Sequence, residues 1–461
     1  MKHLEIISAV LFVLASAPAW GQEDNTPPRQ PVPALAGTTL AGIDNSVEIN
    51  DERMTTPPAV SGLAYPIALT SQERSNFLRG GLSFTSAYSD NVLGAVNGTP
   101  VSDLSYSVAP TVALDETTTR MHAVLSYAPG FTFYQRTSAR NEADQNASIE
   151  FAYRLSPHVT FSANDGFRKS SSVFNQPYFG TSGAVSGGAE GPNFSVIAPI
   201  ADQLSNYGSV GLSYQYALNQ MIGAGGTFSN LHYTDPSQVP GLSDAASQGG
   251  LAFYSLRISK MHYIGVTYEY QRLLAYPTEG LNETQTHAFL FFYTLYPTSK
   301  FSITLFGGPQ YSDTVQAQPV LSLQEWTPAA GASLNWQGRW NSFALSYSHI
   351  IASGGGLVGA VTLDSATASM QQRITKTLSG SLQAGYGQND VLGNSTLQTN
   401  NGHSISGTAS LQQQFGQHMN VQLGYTRLHQ SYSTVAVLAG TPDTNREFVS
   451  VSYQFSRPLG R

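Results

Sequence analysis

The sequence contains no cysteine, which excludes disulfides, thiol catalysis, cysteine metal sites and a lipoprotein anchor. Charge is scarce, because charged residues make up only 11% of the chain against about 25% in a typical soluble domain. After the N-terminus no run reaches the roughly 18 apolar residues of a transmembrane helix. No fixed repeat is present, which argues against a solenoid or propeller. The formal net charge of −7 argues against a nucleic-acid partner.

Residues 103–136 show a long alternation of apolar with small or polar side chains. The apolar positions of the first half are Leu104, Tyr106, Val108, Pro110, Val112 and Leu114. After a polar turn at 115–119, apolar residues return at alternate positions from Met121 to Phe133. Strands of soluble proteins usually have about 5–6 residues, whereas a tilted membrane-crossing strand needs about 9–11. The stretch therefore predicts a transmembrane β-hairpin.

The same pattern continues over residues 76–456 and predicts an all-β fold, a transmembrane antiparallel up-and-down β-barrel. The segmentation gives about 18 strands, with 16 as the nearest alternative. Tight turns are predicted near 156–158, 217–220, 259–261, 297–299, 337–339, 375–377 and 415–418. Longer polar linkers are predicted near 90–102, 136–143, 171–204, 234–247, 275–284, 313–325, 353–360, 390–403 and 433–444. This alternation is typical of short periplasmic turns and long extracellular loops.

Three segments lie outside the predicted barrel. Residues 1–21 have a basic start, an apolar core and small residues before Gln22, and are predicted to be a signal peptide. Residues 22–75 are proline-rich and predict a mostly irregular periplasmic segment. This segment is either a disordered leader or a part that enters the lumen or binds a periplasmic partner. Residues 457–461 are predicted to be a C-terminal tail.

The final strand, near 445–456, has apolar residues at every second position, namely Val449, Val451, Tyr453 and Phe455. This ending resembles the C-terminal assembly signal of Gram-negative outer-membrane β-barrels. Together with the turn and loop rhythm, it resembles porin-like families of about 18 strands, some of them associated with exopolysaccharide export. The resemblance implies an outer-membrane location. It also implies membrane lipid, lipopolysaccharide and the barrel assembly machinery as partners.

Charged residues on the predicted inner face are candidates for lining a pore. They are Arg79, Glu150, Arg154, Arg168, Glu269 and Arg373. Rings of charge select solutes in channels, although charges on neighbouring strands also brace a barrel wall by pairing. Both interpretations stay open at this point.

The longest predicted loop, 171–204, is the third extracellular one. In trimeric porins the third loop folds inward, and by this positional resemblance Glu190 and Asp202 are candidate constriction residues. A glycine- and serine-rich loop of this length is equally suited to covering the mouth or staying mobile.

Aromatic residues near predicted strand ends favour an interfacial girdle. Tyr134, Tyr263 and Phe306 are instead predicted to face inward, where they are candidates for stacking on sugars. The chain has no Gly-x-Ser-x-Gly elbow, no His-Glu-x-x-His motif and no phosphate loop. We therefore expect no enzymatic activity, no cofactor and no metal.

These observations predict a porin-like channel for small hydrophilic solutes or sugars. The alternatives are a conduit for polysaccharide export that binds a periplasmic partner through 22–75, and an adhesin or structural barrel. The sequence alone does not decide among them.

Overall fold

The computed structural model describes residues 54, 75–92, 100–172, 200–236, 240–277, 280–298, 300–317, 321–357, 359–392, 402–432 and 443–459. These residues form eighteen β-strands and a short 3-10 turn at Ser138–Arg140. No helix among them is long and apolar enough to cross a membrane.

The strands run through the chain in order. They are β1 Ser75–Ser89, β2 Asp103–Thr117, β3 Met121–Tyr134, β4 Glu142–Arg154, β5 Val159–Ser172, β6 Ile200–Ala217, β7 Gln220–Tyr233, β8 Asp244–Arg257, β9 His262–Tyr276, β10 Asn282–Thr298, β11 Phe301–Gln316, β12 Leu321–Gln337, β13 Asn341–Ser353, β14 Ala360–Arg373, β15 Leu378–Val391, β16 Gly402–Phe415, β17 Met419–Tyr432 and β18 Thr444–Pro458.

The sheet closes on itself. Every strand pairs with its chain neighbours, and β1 pairs antiparallel with both β2 and β18. Leu82, for example, lies between Pro110 of β2 and Tyr453 of β18. The predicted antiparallel up-and-down barrel is thereby confirmed, with 18 strands rather than 16.

Several boundaries differ from those predicted. β18 continues to Pro458, which pairs with Phe77, so the predicted tail begins inside the strand. The predicted linkers 275–284 and 313–325 shrink to 277–281 and 317–320 because β9 to β12 are longer than expected. Polar side chains bond across this extension, as between the hydroxyls of Thr284 and Thr314 at 3.1 Å. A polar strand end therefore resembles a loop in sequence.

The two faces of the barrel have opposite character. Outward side chains are large, apolar and exposed, such as Leu125 at 54% and Phe291 at 60%. Inward positions such as Ser255 and Thr267 are fully buried. On β12 the outward Trp326 and Trp336 are separated by about 25 Å along the membrane normal, at about 3.3 Å per residue and a tilt of about 40°. This is the height of the apolar band of an outer-membrane barrel.

Candidate functional site

One pair of strands leaves the wall and enters the lumen. β13 pairs with β12 only from Ala330–His349 to Gln337–Ser342, whereas it pairs with β14 up to Ser353–Ala360. Beyond its pairing with β14, β13 also contacts β8 and β9, and β14 contacts β9. We call residues 350–357 and 360–363 the inner hairpin.

The tip of the inner hairpin is hydrogen-bonded to another part of the wall. The Tyr233 hydroxyl, on β7, donates to the carbonyl of Gly355 at 3.3 Å. The backbone N–H of Ser243, just before β8, donates to the carbonyl of Gly356 at 2.7 Å. The Ser243 hydroxyl donates to the same carbonyl at 3.3 Å. The tip thus spans from β13 and β14 to β7 and β8.

Apolar packing accompanies these bonds. Leu357 and Val361 of the inner hairpin are almost completely buried. We call their surroundings the tip cluster: Ala201, Leu231, Tyr233, Leu242, Ala245, Ala352, Leu357, Val361, Leu363 and Tyr432. Burying a leucine or valine side chain contributes about 1.5–3 kcal/mol. The hairpin therefore has a substantial apolar anchor inside the lumen.

The base of the inner hairpin is attached to β11. The backbone N–H of Ile351 donates to Oε1 of Gln310 at 3.2 Å. Gln310 is buried. Its side-chain oxygen satisfies the Ile351 N–H, which has no partner on β12 because the pairing of β12 with β13 ends at His349. Ile351 also packs with Leu273 of β9 and Leu392. These contacts hold the end of β13 away from β12.

A second apolar cluster lines the inner wall. We call it the inner apolar patch: Met54, Met221, Leu251, Phe253, Tyr263, Ala288, Leu290, Phe292, Ala329 and Ile350, with Tyr296 and Phe306 packed against it. The rings of Phe292 and Phe306 lie over Gly265 and Gly331, the partners directly across the strand pair. A Cβ at either glycine would collide with the ring, so glycine is required for these aromatics to lie flat on the wall.

Met54 belongs to the predicted 22–75 segment and is the residue of that segment, ahead of β1, that the structure describes. Its backbone N–H donates to Oε1 of Gln215 on β6 at 3.1 Å. Its side chain is only 2% exposed and belongs to the inner apolar patch. This residue therefore lies against the inside of the barrel.

The predicted pore-lining charges do not share one location, because they are spread over β1, β4, β5, β9 and β14. Alternation places Arg79, Glu150, Arg154, Arg168, Glu269 and Arg373 on the inner face. Arg79 pairs with Asp115 of β2 at 2.5 Å, which favours bracing at that position. Glu150 and Arg373 are exposed, whereas Glu269 is buried.

Most of the predicted constriction loop, 171–204, lies outside the described residues. Glu190 lies outside the described residues. Asp202 belongs to β6, where its carbonyl accepts the N–H of Thr234 at 2.9 Å, so assigning it to a loop was wrong. β6 begins at Ile200, before Asp202, because its backbone pairing with β5 continues into the polar residues of this stretch.

The inner hairpin was missed because residues 353–360 were predicted to be an ordinary outer linker. One signal was available in the sequence. The connection is rich in glycine and follows the apolar run Ile350, Ile351 and Ala352. An apolar strand end next to glycine is suited to burial rather than to an extracellular loop.

The C-terminal residues Val449, Val451, Tyr453 and Phe455 are all exposed on the outward face. They also lie at the seam, because Tyr453 pairs with Leu82 of β1 and with Met419 of β17. The predicted assembly signal is thus part of the strand that closes the barrel.

No protein-family model matches the chain, and no curated protein matches its sequence. Solved structures do resemble it. OccK2 (OpdF) of Pseudomonas aeruginosa is 10% identical, with 83% of this chain and 98% of that chain covered and a TM-score of 0.42. OccAB4 of Acinetobacter baumannii is 10% identical, with 84% of this chain and 100% of that chain covered and a TM-score of 0.41. The ferric citrate transporter FecA is 9% identical, with 84% of this chain and 64% of that chain covered and a TM-score of 0.41.

With TM-scores this low, the assignment of the fold rests on the strand register. That register closes an antiparallel barrel of 18 strands. A continuous belt of exposed apolar side chains surrounds it, and such a belt is stable only in lipid. The chain forms an antiparallel transmembrane β-barrel of 18 strands, which is the architecture of outer-membrane barrels.

Proposed function

We propose that the barrel is a channel for small hydrophilic solutes and that the inner hairpin narrows its extracellular half. The observation behind this proposal is the bonding of the hairpin tip across the lumen, from Gly355 and Gly356 to Tyr233 and Ser243. A barrel of this strand number is too wide for its own wall side chains to fill. An inward-folded connection is therefore the feature that sets the pore size.

The inner wall away from the apolar clusters suits polar cargo. Paired hydroxyls cross neighbouring strands at Ser126–Ser148, Ser229–Ser247, Ser346–Thr367 and Ser381–Ser410, at 2.6–2.7 Å. Hydroxyl groups donate and accept hydrogen bonds, so they replace part of a solute's hydration without a fixed charge. This lining favours neutral or weakly charged solutes.

The test is single-channel conductance of the full chain in planar bilayers, beside a variant in which an Asn-Gly turn replaces residues 354–359. We expect discrete conductance steps from both proteins, with larger steps from the variant. The matched control places Asn-Gly at the exposed turn residues Thr375 and Lys376, at the other end of the barrel, and should leave the step size unchanged. If neither protein conducts although both barrels are folded, the channel proposal fails.

Sugars are the cargo we propose within this class, because the half-buried ring of Phe306 lies flat on the inner wall over Gly331. Flat aromatic faces stack on the apolar faces of sugar rings. Liposome swelling with sugars and with amino acids of similar size would test this. Faster entry of the sugars is expected, and equal rates would remove the preference.

A second candidate is a conduit for polysaccharide export that uses a periplasmic partner. Met54 favours it, because this residue of the 22–75 segment packs on the inner wall. If the segment takes part in export, Met54→Asp should alter conductance, since a charge would enter the apolar patch. Deleting 22–75 without effect on conductance or export would eliminate this candidate.

A further inference from the structure

The lipid face of the barrel carries a carboxyl group in the middle of β5. Asp165 lies between Phe161 and Phe167 in the alternation of that strand, and Phe167 is exposed. The residues paired with Asp165 are Ile149 of β4 and Gly208 of β6. Ile149 is exposed to the lipid, and directly paired residues point to the same face of a sheet. Asp165 therefore points outward.

Asp165 also lies at the depth of the hydrocarbon. The apolar band begins near the ends of the strands at the tight turns, because Trp336 directly precedes the last residue of β12. Val159 is the corresponding end of β5. Asp165 lies about 15 Å above it, at about 3.3 Å per residue and a tilt of about 40°. Since the band is about 25 Å tall, Asp165 is inside it rather than at its edge.

A second polar side chain contacts Asp165 on the same face. Nδ2 of Asn206, on β6, donates to Oδ1 and Oδ2 of Asp165 at 3.2 and 3.4 Å, and to the carbonyl of Gly166 at 3.4 Å. Asp165 and Asn206 are both half-buried. A carboxylate accepts about four hydrogen bonds, so Asn206 satisfies only part of its capacity.

Two more amides flank this pair on the outward face. Asn230 of β7 is paired with Asn206 and is exposed. Gln145 of β4 is also exposed and shares the face of Ile149. We call Gln145, Asp165, Asn206 and Asn230 the outer polar patch. It crosses four consecutive strands on the side of the barrel that faces lipid.

Lipid is a poor neighbour for the outer polar patch. Acyl chains offer no hydrogen-bond donor, and contact of a polar group with hydrocarbon is costly unless the group is hydrogen-bonded. Ionisable side chains at membrane depth almost always face protein or a water-filled cavity. Asp165 points away from the lumen, so a protein surface is the neighbour that suits it.

Small residues next to the patch let such a surface approach closely. Ala147 of β4 and Ala163 of β5 lie on the outward face, two residues from Ile149 and from Asp165 respectively. At Gly208 a Cβ would lie only 2.9 Å from Oδ1 of Asp165, so glycine leaves room for the carboxyl group. Small residues at interfaces between membrane proteins allow the two backbones to come together.

We propose that the outer polar patch is the centre of an interface between two copies of this chain in the membrane. The patch is complementary to itself about a twofold axis that runs along the membrane normal between β5 and β6. This axis places Asp165 opposite Asn206 of the partner subunit, and Gln145 opposite Asn230 of the partner subunit. Amides both donate and accept, and a twofold interface makes each of these contacts twice. The inference goes beyond the channel proposal and does not depend on conductance.

The experiment uses the full chain, which has no native cysteine, at high dilution in phosphatidylcholine vesicles. Ala163→Cys places a single thiol beside the patch. The control is Leu382→Cys on β15, at a lipid-facing position on the opposite side of the barrel. With a short bis-maleimide, we expect about ten times more cross-linked dimer from Ala163→Cys than from the control. Equal amounts from the two variants, or no dimer from either, would overturn the proposal.

Two substitutions in the Ala163→Cys chain test the polar contacts. Asp165→Leu should lower the dimer yield about tenfold, because both copies of the contact with Asn206 are lost. Leucine is suited to a lipid-facing position, so we expect this variant to fold. The matched control is Asp364→Leu on β14, whose carboxyl group contacts the exposed Tyr347 on the outward face. It should leave the yield unchanged, and an unchanged yield with Asp165→Leu would overturn the proposal.

A count of subunits decides the case without any change in the patch. The Leu382→Cys chain is labelled with one fluorophore per thiol and observed as single spots in a supported bilayer. We expect two bleaching steps per spot. Single steps throughout would mean that the barrel is a monomer, and the proposal would fail.

Discussion

The hydrogen bonds of the inner hairpin allow a quantitative prediction. Gln310→Leu removes the acceptor for the Ile351 N–H, and Tyr233→Phe removes the donor to Gly355. Each bond contributes about 1 kcal/mol net, so the double variant should destabilise the inward position by about 2 kcal/mol. This corresponds to about a thirtyfold decrease in the ratio of closed to open states.

The assay is the closed-time fraction of single channels in planar bilayers. The double variant should stay open far longer than the unmodified chain, and each single variant should show about a fivefold change. Ser381→Ala is the control, because it breaks the hydroxyl pair with Ser410 on a part of the inner wall outside the hairpin. A closed fraction that is unchanged in a folded double variant would refute the reasoning.

Two further predictions concern the wall. Gly265→Val should destabilise the barrel by about 1–3 kcal/mol in urea unfolding from vesicles, because its Cβ would overlap both the Phe292 ring and the carbonyl oxygen of Tyr254. A second substitution, Phe292→Ala, should restore part of the loss only if the overlap with the ring is part of the cause. Leu382→Arg should cost about 2–4 kcal/mol because Leu382 is 56% exposed on the lipid face. Its neighbour Ser381 faces inward, and Ser381→Arg should cost much less; equal costs would mean that the faces are assigned incorrectly.

The barrel was predictable from the sequence because alternation is a local property. The pattern of Leu104, Tyr106 and Val108 already separates a lipid face from an inner face, and the strand register confirms that separation. Strand count followed from the alternation of turns and linkers. The exact strand ends were not predictable, because strands such as β10 remain hydrogen-bonded to their neighbours at polar residues such as Thr284, beyond the apolar band.

The inner hairpin was not predictable in the same way. It depends on contacts between residues far apart in the chain, such as Gln310 with Ile351 and Tyr233 with Gly355. No local pattern specifies that β13 leaves β12 at His349. The third loop was proposed from its position alone, and most of it, including Glu190, lies outside the described residues.

The most direct measurement of the central claim is a reversible cross-link between the inner hairpin and the opposite wall. The chain has no native cysteine, so Ser243→Cys and Leu357→Cys introduce a single thiol pair beside the Ser243–Gly356 hydrogen bond. The account predicts that oxidation forms the disulfide in the folded barrel and lowers its conductance, and that reduction raises the conductance again. Failure to form the cross-link, or equal conductance in the oxidised and reduced states, would contradict it.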